Sequence, residues 1–81
     1  MPYARLVRES AVHRALEAIG DDVRRARLEV GLSQDSLAAA SGIAQSTISR
    51  IERGAAPGAG VERLARIMVA LRLHSLGEFP S

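Results

Sequence analysis

The side chains with the most to offer a ligand lie between residues 33 and 54, in SQDSLAAASGIAQSTISRIERG. Gln45, Ser46, Thr47, Ser49, Arg50 and Arg53 bring amide, hydroxyl and guanidinium groups into nine residues. On a helical wheel of about 100° per residue with Ile48 at zero, Ile51 and Ala44 fall beside Ile48. Ser46, Ser49, Arg50 and Arg53 fall on the opposite side, and Gln45 stands at the N-terminal tip. The outer face therefore holds donors, acceptors and cations without an acid, whereas a helix facing only water ordinarily mixes Glu among its Arg. Such a face suits the major groove of double-stranded DNA. Gln bonds adenine through two hydrogen bonds, Arg does the same to guanine, and Ser or Thr serves either. Gln45, Ser46, Ser49 and Arg50 are the candidate base readers, and Thr47 and Arg53, at the edge of the face, are candidate phosphate contacts. The plainer reading of the same segment is a helical hairpin inside a bundle.

Other chemistries find less support. His13 and Glu17, at i and i+4, have metal-ligand spacing, but the other histidine, His74, is far along the chain, and a solvated helix face is the plainer reading. Serines are plentiful, yet no His stands at a spacing that would activate one, and there is no Cys to act as nucleophile or to form a disulfide. Gly58-Ala59-Gly60 opens a helix but lacks the third glycine and the preceding strand of a dinucleotide-binding loop. The chain is read as a non-enzyme without metal or cofactor.

These side chains need elements to hold them. Met1 to Arg8 show no periodicity and read as a loose arm. Val12, Ala15, Leu16, Ile19, Val23, Ala26 and Val30 then recur at helical spacing. Gly20 interrupts this stripe, so that either two helices abut there or one long helix tolerates the glycine; the favoured reading is a helix restarting near Gly20, with Asp21 and Asp22 in a first turn, where the dipole favours acids. Gly31 is a suitable stop for it. Ser33 is a good N-cap for a short helix from Gln34 to Ala40, and Ser41-Gly42 breaks that helix. A second short helix runs from about Gln45 to Arg53 with Gly54 as its stop, so that two helices flank a tight turn. Residues 55–60, AAPGAG, form a loop. Val61, Leu64, Ala65, Met68 and Leu71 mark another helix, and Leu76 to Phe79 a final turn capped by Ser75. No strand signal and no internal repeat is present.

Two charges fall on apolar sides. Glu52 lies close to Ile48 on the wheel, and Arg27 lies beside Val23 and Val30. Either the two form one partly buried ion pair, whose members are costly to bury singly, or both snorkel to water.

Eighty-one residues make one domain at most. Aromatics are only 2% of the chain, so the core must come from Leu, Ile, Val and Ala, which favours close-packed helices over strands. No apolar run approaches the ~18 residues of a membrane span, and no signal peptide is legible, so the cytoplasm is expected. The net charge of +2 permits nucleic-acid binding without arguing for it.

The stretch from about Val23 to Leu73, carried by RARLEVGLSQDSLAAASGIAQSTISRIERG, resembles the Cro/C1-type (XRE) helix-turn-helix proteins. Gln34 matches the family Gln that contacts phosphate and braces the first residue of the recognition helix. Ala38 and Gly42 match the small residues of the helix crossing and turn. Ile43, Ile48 and Ile51 match core positions, and Gln45 and Ser46 match a base-reading Gln-Ser pair. Arg27 and Glu52 fall where that group forms a buried ion pair. Ser41, often apolar in the family, and Ser36, usually Glu, depart from the pattern. The resemblance implies an all-α, five-helix lambda-repressor-like DNA-binding domain at 20–81, with the helix-turn-helix unit at about 33–54. Residues 1–19 form an arm and extra helix outside it.

The function implied is sequence-specific binding of a double-stranded DNA operator, as a repressor and as a homodimer on two half-sites. The C-terminal turn and the Val12–Leu16–Ile19 stripe compete as the dimer surface. Alternatives are an antitoxin that binds its toxin through residues 1–19 and represses its own operon, and a restriction–modification controller. A protein-interaction module on the same scaffold without DNA is the reading from a different class.

Overall fold

The computed structural model describes the backbone of residues 2–77 and the side chains of residues 4–77. Among these residues there are four helices and no strand: α1 (Pro2–Glu29), α2 (Gln34–Ser41), α3 (Gln45–Glu52) and α4 (Gly60–Ser75). α1 packs mainly on α3, and α2 packs on α3 and α4. The core is Val23 of α1, Leu37 of α2, Ile48 and Ile51 of α3, Ile67 and Ala70 of α4, and Ile43 from the turn before α3. Leu37, Ile48 and Ile67 are completely buried.

The N-terminal third differs from the sequence expectation. Residues 2–8 are helical rather than a loose arm, and α1 runs through Gly20 without a break. Its 28 residues span about 42 Å at 1.5 Å per residue, which accounts for most of the 52 Å long axis of the molecule. Gly20 is buried inside this helix because α3 crosses it there: a Cβ at Gly20 would sit on the Ile51 carbonyl oxygen and 2.8 Å from that of Glu52. The glycine that reads as an interruption is the contact point of two helices.

The helix count is four rather than five. The chain past α4 turns at Gly77 (φ 71°), and the rest of the expected turn over 76–79 lies outside the described residues. α4 also presents a different side to the core than its expected stripe. Ile67 and Ala70 are buried, Leu64 and Leu71 are half-buried, and Val61 and Met68 stand 83% and 66% exposed. Two apolar stripes adjoin on this helix, and the core takes the narrower one. On α1, likewise, Val23 is buried while Val12 and Ile19 remain exposed.

Candidate nucleic-acid interface

α2 begins as its sequence requires. Ser33 is extended (φ −76°, ψ 167°), and its Oγ accepts the Ser36 amide at 3.0 Å while donating to Ser36 Oγ at 2.9 Å. The Ser36 hydroxyl thus holds the capping Ser33 hydroxyl, although it does not take the Ser33 backbone N–H as a capping-box glutamate would. α2 ends at Gly42, whose left-handed backbone (φ 70°) lets the following Ile43 amide fold back to the Ala38 carbonyl at 3.2 Å. An added Cβ there would meet only the end of Arg66 at 3.8 Å, so the turn needs the backbone freedom of glycine rather than the space. Ser41 is buried with its Oγ donating to the Leu37 carbonyl at 2.7 Å, which satisfies a hydroxyl on an otherwise apolar surface.

α3 turns Ile48 and Ile51 into the core and leaves Gln45, Ser46 and Arg50 exposed. Thr47 and Ser49 are half-buried at the margins. Arg53, just past the helix, donates from Nη1 to Ser49 Oγ at 3.2 Å. The one acid of α3, Glu52, faces inward with its side chain only 3% exposed. That orientation is why the outer face of α3 carries no negative charge.

Arg27 meets Glu52 through two bonds, Nε to Oε2 at 2.7 Å and Nη2 to Oε1 at 2.9 Å, and its Nη1 donates to the Leu32 carbonyl at 2.9 Å. The Glu52 hydrogen bond raises the Arg27 pKa above its ordinary value against the opposing effect of burial. For Glu52, burial pushes the pKa up. Hydrogen bonds from Arg27 and Gln34, with the charges of Arg27 and Arg24, outweigh it and hold the carboxyl below its ordinary value.

The polar chain continues outward. Gln34 Nε2 donates to Glu52 Oε1 at 3.2 Å, and Gln34 Oε1 accepts from Gln45 Nε2 at 2.7 Å. A carboxylate only accepts, so it draws the NH2 end of Gln34 and turns the carbonyl end toward Gln45. Gln45 therefore spends one N–H on Gln34 and keeps a second N–H and its carbonyl. No side chain caps α3, since Ala44 has none to offer and Gln34 is engaged with Glu52 and Gln45.

Residues 23–76, two thirds of the chain, match the family described as helix-turn-helix, of the XRE or Cro/C1 type. The chain belongs to this family. Domains of the Cro/C1-type family bind DNA in transcription regulation and are generally without enzymatic activity. No curated protein and no solved structure matches the chain.

In this Cro/C1-type domain α2 and α3 are the helix-turn-helix pair. Two side chains beside them come from elsewhere in the chain: Arg63 and Arg66 of α4 line a shallow polar recess with Ala44 and Thr47 at the start of α3. Arg66 shares its charge with Glu62 at 3.1 Å, and Arg63 has no carboxylate partner among the described residues. Both lie outside the helix-turn-helix segment, and nothing in their local spacing marks them. His13 and Glu17 bond each other at 2.8 Å on exposed α1, and among the described residues no three metal-binding side chains come together. No helix of the described residues is long and apolar enough to cross a membrane.

Proposed function

We propose that this protein is a cytoplasmic transcriptional repressor that binds a specific double-stranded DNA operator as a homodimer, with no cofactor. Gln45, Ser46, Ser49 and Arg50 read base edges in the major groove, while Gln34, Thr47 and Arg53 position the phosphate backbone. Arg63 adds a cation from α4 beside the start of α3.

The observation that carries this reading is the orientation of Gln45. Its remaining N–H and carbonyl are the pair that adenine requires, a donor for N7 and an acceptor for N6–H2. Bonds to Gln34 and, through it, to buried Glu52 hold that amide before DNA arrives. A protein-interaction module would have no use for such an arrangement, and an acid-free helix face beside it favours a polyanion.

Selection of bound sequences from a random double-stranded pool tests the reading. The expected result is a palindromic motif with half-sites about one helical turn apart. One adenine of each half-site should lose its preference in Gln45→Ala. Weak, sequence-blind binding that vanishes at moderate salt overturns it.

A further inference from the structure

We infer that two copies of this chain pair through α1 laid antiparallel, so that the projecting half of each α1 covers an apolar groove on the other. This deepens the homodimer reading above by assigning its surface.

The groove lies between α1 and α4. Ile19, Val23 and Ala26 line it from one side and Leu64, Met68 and Leu71 from the other. Ile19 is 39% exposed and Met68 66%, and the apolar strip continues to Leu16 and Val61. An open apolar strip of this kind on so small a chain marks an association surface.

The flank of α1 beside this groove shows what covers it. Arg8, Val12, Ala15, Ile19, Asp22 and Ala26 recur at alternating steps of four and three, which places them on one stripe. The stripe reads cation, apolar, small, apolar, anion, small. Arg8 and Asp22 stand equally far from Ala15, seven residues or about 10 Å along the axis. A two-fold axis at Ala15 therefore sets Arg8 of each chain against Asp22 of the other and Val12 against Ile19. Ala15 meets its own copy, where a small side chain permits close approach. Such an interface must be self-complementary, and this stripe is so only when antiparallel. A parallel pairing would oppose Arg8 to Arg8 and Asp22 to Asp22.

The rest of the molecule is consistent with this pairing. Arg8 has no ion-pair partner of its own chain among the described residues. The Asp22 side chain is 74% exposed and reaches only a long 3.3 Å contact with Arg25, which bonds Asp21 more closely at 2.8 Å. Residues 4–15 of α1 are exposed throughout. Helical segments of that length are marginal in water without packing, and the groove of a second copy supplies it. None of the groove residues belongs to the DNA-reading set.

Sedimentation equilibrium of the full chain tests the proposal, with far-UV circular dichroism to verify folding. The wild type should sediment as a dimer. Ile19→Asp, which sets an unpaired carboxylate against Val12, and Arg8→Asp, which sets like charges against each other at Asp22, should each weaken dimerisation roughly tenfold or more. The swap Arg8→Asp with Asp22→Arg should restore it, because both members of each pair exchange sign. Arg8 and Asp22 are exposed, so these variants remain decisive even if Ile19→Asp misfolds. A monomeric wild type, a dimer indifferent to these changes, or a charge swap that fails to restore pairing overturns the proposal. Binding to a single half-site duplex, followed by fluorescence anisotropy, keeps the two readings apart. It should survive in a folded monomeric variant, and its absence in the wild type would count against DNA reading rather than against the α1 surface.

Discussion

Arg27 and Glu52, twenty-five residues apart in sequence, meet in a two-bond ion pair at 2.7 and 2.9 Å that ties α1 to the last turn of α3. Both side chains are under 10% exposed. The pair anchors the polar chain that runs through Gln34 to Gln45 at the protein surface. A structural interaction between two helices thus sets the orientation of a side chain proposed to read DNA.

Removing one partner of this pair should cost more than removing both. Arg27→Ala leaves the Glu52 carboxylate buried with Gln34 as its one side-chain hydrogen-bond donor, and a loss of about 3–5 kcal/mol is expected. Arg27→Met combined with Glu52→Leu fills the same volume without charge and should melt closer to the wild type. Chemical denaturation of the three proteins checks the order, and equal losses would show that the pair is not desolvated.

The same pair predicts a pH dependence. Glu52 has its folded pKa lowered, so its contribution is fully present above the unfolded carboxyl value, about 4.3. The contribution is lost as pH falls through the lower folded value. The stability gap between wild type and Glu52→Gln should be constant near neutrality and shrink in acid, measured by urea unfolding at a series of pH values. A gap that widens on acidification would contradict the assignment.

Gly20→Ala should destabilise the protein although alanine is the better helix former. Propensity alone would contribute about 1 kcal/mol in its favour. The added methyl would collide with main-chain carbonyls of Ile51 and Glu52, which cannot move aside as a flexible side chain would. A net loss of about 1–3 kcal/mol is expected from such overpacking, read from the denaturation midpoint. An unchanged or raised midpoint would mean that α1 and α3 separate readily.

Arg50→Ala should weaken operator binding by about 1–3 kcal/mol and relax preference at one or two positions of each half-site. Arg53→Ala should weaken binding to all sequences alike and flatten the salt dependence. Anisotropy titrations on matched and mismatched duplexes separate the two. Unchanged preference in Arg50→Ala would remove that residue from base readout.

Local features of the sequence were enough to place α2, the Gly42 turn and α3. The Ser33 cap, the left-handed glycine and the Ile48–Ile51 side of α3 each act within a few residues of themselves, so spacing reports them. The inward position of Glu52 was legible for the same reason, since the wheel sets it beside Ile48. What Gly20 does was not legible. A glycine inside a helix weakens it locally, and only the approach of the Ile51 and Glu52 carbonyls explains why α1 carries one and continues through it. The side of α4 that enters the core was equally hidden, because two adjoining apolar stripes satisfy the same periodicity. Tertiary packing chose Ile67 and Ala70, left Met68 and Val61 beside the flank of α1, and brought Arg63 next to the start of α3. Periodicity and capping are properties of a few consecutive residues, whereas the choice between equivalent faces depends on which other helix arrives against them.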